Sequence, residues 1–420
     1  MAHLLLAAAS GGSRGACPQQ VASLAALDPL TFRVVLKQAD CPFLTNAMTI
    51  PLVPQHLLAG SADINTDPFN SSRPVGTGPY VFKECQKDDH LTLVANPTYW
   101  QGRPRIDQWI RKVVKDDNVI LGQLKTGEVD YATLQPDAVE ELTPQPNLNV
   151  TSFPGPITGY IAYNLDRPLF QDQRVRLALT YALDRELIVQ RLLWGHGQVL
   201  NSPIVPHSWA YDTRLPTYPY DPDKARQLLA EAGWTPGPDG ILQKDGQRFA
   251  FTLTTNTGNK VREAVAIIAQ DQWAKVGIEV QPQLLQFSTF NERFQQTHDF
   301  DAVVAGATLG VAPDQTSTWS SQAYPTGESY VHYRNPRVDA LLEQARTLPS
   351  CDQAARKALY DQFQEQLVAD QPYTFLYAWQ TGLAVNKRLQ NVMPSPWAGS
   401  SPYVAWSIKD WGLADQPPAP

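Results

Sequence analysis

The stretch KVREAVAIIAQDQWAKVGIEVQPQL, residues 260–284, decides the fold class. Apolar residues recur at helical spacing through Lys260–Val276, Gly277 stops the helix, and Ile278–Leu284 reads as a strand. A further helix starts at Ser288, and another strand runs over Asp299–Val304. Strand–helix–strand alternation of this kind argues for α/β lobes with mixed sheets.

The same alternation extends in both directions. Strands are predicted at Leu30–Leu36, Leu91–Ala95, Gln108–Val114 and Glu128–Ala132, with a short helix at Val119–Thr126. Asp172 is a fitting N-cap for one long helix, Arg174–Leu193, which Gly195 ends. Asp221-Pro222 starts another helix, and Gly233 stops it. Helices at Pro336–Thr347 and Asp352–Ala369 precede an aromatic strand over Tyr373–Val385.

The whole chain has 420 residues, enough for two or three domains at ~100–200 residues each. With 43% apolar and 18% charged residues it is compositionally globular rather than disordered. Its net charge of −7, without Lys/Arg blocks, leaves no electrostatic footprint for nucleic acid. The longest apolar run, Leu4–Ala9, is far short of the ~20 residues of a spanning helix. Four cysteines (Cys17, Cys41, Cys85, Cys351) show no metal spacing. A Cys17–Cys41 disulfide and idle thiols both stay open, since spacing does not give geometry.

Catalytic patterns find no support. Gly11-Gly-Ser-Arg-Gly15 matches the nucleophile-elbow spacing but lacks the strand before it and the helix after it. Gly76-Thr-Gly78 is followed by Pro79 and has no third glycine where a dinucleotide loop needs one. The seven histidines are scattered, with no pair placed to share a metal. Glu140-Glu141 and Asp116-Asp117 read as solvated faces. Aromatic content says more. Eleven Trp and sixteen Tyr include Trp319, Tyr324, Tyr330, Trp379 and Trp397 in or near loops, where rigid rings offer contact area to a small ligand. For any single ring, filling a gap between loop and sheet is the commoner role.

Several stretches resemble the family 5 bacterial solute-binding proteins, receptors of peptide- and nickel-type ABC importers. Arg73-Pro-Val-Gly-Thr-Gly-Pro-Tyr80 resembles that family's PVGTGPY segment, and Asn96-Pro-Thr-Tyr-Trp-Gln-Gly-Arg-Pro104 its NPxYWxGxP segment. Leu124–Asp130, Phe170–Arg185 and Tyr220–Trp234 match further segments in the same order. By their own chemistry these stretches are scaffold. Tyr99-Trp100 is expected to bury against a strand, and Arg174, Arg176, Asp184 and Arg185 to form surface ion pairs worth a few tenths of a kcal/mol.

The resemblance implies an α/β, two-lobed periplasmic-binding-protein fold that closes like a hinged trap. Residues 1–72 are then the remnant of an extra subdomain, 73–159 belong to lobe I, 160–382 form lobe II, and 383–420 return to lobe I. The hinge is expected near Tyr160–Leu165 and Phe375–Leu383. Family members usually carry a longer N-terminal segment with a signal peptide, so Met1–Ala26 reads as starting inside the subdomain. The expected role is capture of a small organic solute, peptide-like or oligosaccharide, outside the cytoplasm, and delivery to a membrane-embedded ABC permease. No catalysis, cofactor or nucleic-acid partner is implied, and a monomer is expected. A nickel-chelate receptor and a truncated, non-binding homologue are the alternatives.

Peptide-binding relatives carry an acidic residue after Gly-Trp that pairs with the peptide amine. In Ala305–Asp314 the Trp place reads Ala307, the acid place Gly310, and an upstream Arg place Val304. A buried ammonium without its carboxylate costs several kcal/mol, which shifts the expectation toward a neutral or modified solute. The expected ligand-binding residues are Tyr160, Thr308, Leu309, Gly310, Trp319, Tyr330 and Trp397.

Overall fold

A computed structural model describes residues 20–46, 54–63, 66–70, 72–324, 327–393 and 407–414. The nucleophile-elbow match at 11–15 and Trp397 lie outside the described residues, as does Cys17. Cys85 is a free, exposed thiol. No helix among the described residues is long and apolar enough to cross a membrane. The chain divides into two compact units, one of residues 1–153 with 381–420 and one of residues 154–380.

The unit of residues 154–380 carries most of a mixed sheet. Its strands are β1 (Leu148–Tyr163), β2 (Gly197–Val199), β3 (Ala250–Asn256), β4 (Glu279–Leu285), β5 (Ala302–Thr308) and β6 (Tyr373–Asn386). Their order is β4-β3-β5-β1-β6, with β2 on β6. β3 pairs parallel with both β4 and β5, while β5 pairs antiparallel with β1, placing Ala305 opposite Tyr160 and Gly306 opposite Gly159. The run 148–163 continues from one unit into the other, and so does 373–386.

The α-helices of five residues or more in this unit are α1 (Gln173–Tyr181), α2 (Arg185–Leu192), α3 (Pro222–Glu231), α4 (Lys260–Ala274), α5 (Phe287–Asn291), α6 (Pro336–Thr347) and α7 (Gln353–Asp370). α4 buries Val265, Ala266, Ala269 and Trp273 in the main core, together with Phe170, Phe249, Phe251 and Leu253. Trp273 is fully buried and donates its indole N–H to the Leu179 carbonyl at 2.9 Å, so its polar atom is satisfied inside an apolar core. Each such side chain contributes on the order of 1.5–3 kcal/mol by burial.

The expected long helix 174–193 is two helices. α1 ends at Tyr181, and Asp184 caps α2, accepting from the Leu187 N–H at 2.8 Å, while its own N–H donates to the Gln272 side chain. A side chain that serves the next helix's orphan donors competes with continuing the first. The surface ion pairs expected there are also corrected. Arg174 does pair with Asp172. Arg176 and Arg185 are buried and spend their donors on carbonyl oxygens instead.

In the other unit, strands Tyr80–Gln86, His90–Ala95 and Gln108–Lys112 form an antiparallel sheet, and Val21–Ala26 pairs with Phe32–Leu36. Helix Asp117–Thr126 is capped by Asp116 and ends at Gly127 with φ 78°. Trp109, Tyr131 and Trp411 pack ring on ring, with Trp411 fully buried. Trp100, expected to bury, is 76% exposed and meets the Tyr99 ring edge-on at 5.9 Å. The pair lies in the turn segment between the strands that end at Ala95 and begin at Gln108, with Gly102 at φ 91°.

Candidate functional site

A cavity of about 340 Å³ lies within the unit of residues 154–380. It opens where strands β3 and β5 end. β5 supplies Ala305 to Thr308, and the Leu309 N–H extends its ladder to the Pro156 carbonyl at 2.9 Å. β3 runs out at Asn256 and leads into α4, whose first turn contributes Arg262. The crevice beyond the carboxyl ends of strands in an open α/β sheet is the usual ligand position.

Two glycines make the wall possible. At Gly159 a Cβ would stand 2.3 Å from the Tyr377 ring, and at Gly306 it would stand 2.5 Å from the Thr158 carbonyl oxygen and 3.0 Å from the Arg262 guanidinium. Their pairing across β1 and β5 leaves room for a tyrosine ring and for an arginine head. A Cβ at Gly159 would displace the Tyr377 ring, and one at Gly306 would press on the backbone of Thr158.

The floor is aromatic. Tyr160 and Tyr373 stack with ring centres 4.4 Å apart, and Trp319 meets Tyr373 edge-on at 4.6 Å. Phe375 closes this side, while Phe294 packs against Tyr330 at 4.8 Å on another. Burial raises the Tyr160 hydroxyl's pKa well above the ordinary phenol value; Arg262 opposes the shift, and Tyr330 and Glu328 add to it. The Tyr330 phenol is pushed up to about 12, by burial first and then by Glu328. These hydroxyls are neutral donors and acceptors at physiological pH.

Two charges line the cavity. Arg262 donates to the Asn256 side-chain oxygen at 2.9 Å, and among the described residues it pairs with no carboxylate. Glu328 accepts from Ser317 and Thr318 hydroxyls at 3.3 and 3.4 Å, and among the described residues it pairs with no cation. The indole N–H of Trp319 is buried and, among the described residues, has no hydrogen-bond partner. Among the described residues no group of three His, Cys, Asp or Glu is placed to hold a metal, and no histidine lines the cavity.

Of the residues singled out from sequence, Tyr160, Thr308, Leu309, Trp319 and Tyr330 meet in this cavity. Gly310 is exposed and does not line it, because the chain turns away after Leu309. Asp314, the nearest acid to the expected anchor, is spent on a local turn, accepting from the Thr316 N–H and hydroxyl at 3.1 and 2.6 Å. Sequence reasoning missed Arg262 and Glu328. Arg262 looked like a polar residue in the first turn of an amphipathic helix, and nothing adjacent to Glu328 marks it.

The model of the bacterial extracellular solute-binding proteins, family 5 Middle, matches residues 4–328. The oligopeptide-binding protein AppA of Bacillus subtilis is 36% identical over 411 residues, covering 96% of this chain and 74% of that protein. The structure of that AppA in complex with a nonapeptide superposes with a TM-score of 0.84 at 34% identity, over 99% of this chain and 83% of AppA. The structure of NikZ from Campylobacter jejuni in complex with Ni(L-His) gives a TM-score of 0.86 at 26% identity, over 98% of this chain and 83% of NikZ. The periplasmic-binding-protein α/β fold expected from the sequence is the fold of these structures. With its motifs, its sheet order and these likenesses in agreement, the chain belongs to the family 5 bacterial extracellular solute-binding proteins, the solute-capturing components of ABC transporters.

Proposed function

We propose that this chain captures a peptide-like solute in the cavity at the ends of β3 and β5 and delivers it, as a monomer outside the cytoplasm, to a membrane-embedded ABC permease. One observation carries the reading: an aromatic cavity with a few converging polar groups stands at the carboxyl ends of the strands, where such sheets take ligands. AppA, which shares 34% identity with this chain in its solved form, holds a nonapeptide. Tyr160, Thr308, Leu309, Trp319 and Tyr330 are the proposed contacts. Transport without turnover is the role, and the segments 160–165 and 375–383 serve as the hinge. Residues 73–159 with 383–420 form one lobe in this proposal, and 160–382 the other. Solute acts by favouring the state it binds more tightly.

The nickel-chelate alternative has less behind it, since among the described residues no histidine lines the cavity. An oligosaccharide receptor is disfavoured by the two charges on the wall. The test is thermal unfolding of the purified chain with short peptides, oligosaccharides or nickel–histidine. Ligand at 100 times its dissociation constant adds about 2.7 kcal/mol of stability. A rise in melting temperature with peptides alone is the expected result. A rise with only oligosaccharide or only nickel–histidine overturns the peptide reading.

A further inference from the structure

Next to Tyr330, two histidines from different segments meet. The rings of His298 and His332 have centres 4.9 Å apart, and the Tyr324 ring lies against them at 5.3 and 3.9 Å. Both backbones are left-handed, at φ 53° and 59°, a strained state for residues other than glycine that the surrounding contacts must hold. Their partners fix the tautomers. The His298 Nδ1 lies 3.2 Å from the Tyr330 carbonyl, which only accepts, so Nδ1 carries the proton and Nε2 is left to gain one. The His332 Nδ1 meets the Asp166 carboxylate in the same way, and its Nε2 is buried without a hydrogen-bond partner among the described residues. Of the other charges on these segments, Asp299 and Asp301 pair with Arg167, Arg293 donates to the Gln283 side chain, and the exposed Glu328 accepts from the Ser317 and Thr318 hydroxyls.

A proton added to this pair finds different partners on the two rings. His332 has a carboxylate beside it, whereas His298 has carbonyl oxygens. Burial first and His332 second hold the His298 ring below the ordinary histidine value of 6.5, against the Tyr330 and Phe294 carbonyls and Asp166. Two imidazolium rings at this separation repel, and the one without a carboxylate gives way. The His298 carbonyl stays tied to the Asn164 amide at 3.1 Å, so the ring moves rather than the backbone, and the Tyr330 carbonyl loses its donor. Tyr330 packs on Phe294 at 4.8 Å, and both line the cavity. We propose that His298 is a positioning residue for solute capture: its neutral ring seats Tyr330 on the cavity wall, and its protonation unseats Tyr330 and weakens binding. This rests on the reading that the cavity is the solute site. A depressed imidazole favours the seated state fully above the ordinary value, and that preference is lost as pH falls through the folded one. The receptor therefore holds solute at neutral pH and loosens its hold in a mildly acidic medium.

Two measurements on the full chain test this. Proton NMR of the imidazole C2–H resonances follows each ring against pH, with His298→Asn and His332→Asn assigning the signals. Asparagine keeps an amide donor near the Nδ1 place, tolerates left-handed backbone and does not titrate. His298 is expected to titrate below the ordinary histidine value. His332→Asn is expected to raise the His298 midpoint by about half a pH unit, the repulsion of two unit charges 4.9 Å apart in water. Calorimetry with a pool of short peptides built from neutral residues is run at about pH 7 and about pH 5, where both peptide termini stay ionised. The unaltered chain is expected to lose about fivefold in affinity at the lower pH, and His298→Asn less than about twofold. A His298 midpoint at or above the ordinary value overturns the proposal, as does one that His332→Asn leaves unmoved. So does an equal loss of affinity in the unaltered chain and His298→Asn. Failure of every peptide to bind at either pH overturns the peptide reading instead, and the imidazole titration still decides the histidine pair.

Discussion

Replacing Arg185 by methionine should cost about 3 kcal/mol of folding stability. The side chain is 5% exposed, and its Nη1 donates to the Leu200 carbonyl at 2.9 Å, the Asn201 side-chain oxygen at 3.1 Å and the Phe375 carbonyl at 2.9 Å. Its Nη2 donates to the Tyr218 carbonyl at 2.7 Å. Burial pulls its pKa down to about 10, with Glu186 opposing, so the charge is held at a desolvation cost that the four acceptors offset. Methionine fills most of the volume but leaves those acceptors bare, at about 1 kcal/mol each on the low side. Removing the buried charge returns part of this, which gives the net figure. Leu200 and Phe375 both line the cavity, so the same substitution should weaken solute binding. Lysine, a point charge with three donors, should recover only part of the loss. Urea unfolding with an unchanged slope measures the stability. A loss for Arg185→Met below about 0.5 kcal/mol, the level of an ordinary surface substitution, would refute the view that this arginine holds the cavity floor.

Gly306→Ala should lower stability by about 1–3 kcal/mol through overpacking and weaken solute binding at least tenfold, because its Cβ meets the Thr158 carbonyl at 2.5 Å and displaces Arg262; calorimetry and a melting curve check both, and unchanged affinity would show that the guanidinium has room to spare. Trp319→Phe removes an indole N–H that has no protein partner, so it should leave the ligand-free melting temperature within a few degrees while reducing solute affinity roughly tenfold, the size of one hydrogen bond; equal affinity would mean that the N–H serves no ligand. Asp212, buried and hydrogen-bonded by Arg214 foremost, has its pKa held below the ordinary 3.8. A depressed carboxylate contributes stability that is complete above the unfolded value and is lost as pH falls through the folded one. Asp212→Asn should therefore flatten the loss of stability below pH 3.8, and parallel acid curves for the two proteins would exclude that carboxylate as a source.

The periodic parts of this chain were legible because each reading rested on one element. α6 runs over Pro336–Thr347 as predicted, since Asn335 caps it through its side chain and Pro336 suits the first turn. Capping chemistry was also the reason the helix over 174–193 was misread: Asp184 sits among good helix formers, and its role depends on the Gln272 side chain of α4, which fixes its backbone N–H. Arg176 and Arg185 fail for the same reason. A basic residue in a helix reads as surface until the tertiary fold brings carbonyls from distant segments around it.

The candidate site follows the same division. Tyr160, Trp319 and Tyr330 could be singled out because aromatic residues near loops carry a signal in themselves. Arg262 could not, because its meaning comes from Gly306 on the neighbouring β5, which leaves space for the guanidinium above the Thr158 carbonyl. Carrying a relative's acid position onto Gly310 assumes that a role stays at one place in the sequence. A cavity requires only that some carboxylate border it, and here the chain turns away at Gly310 while the exposed Glu328 borders it from a different loop. An absent residue in a motif is thus weak evidence for an absent charge in a site. The physical question is whether any group within reach of the ligand's position can restore the balance, and only the fold poses it.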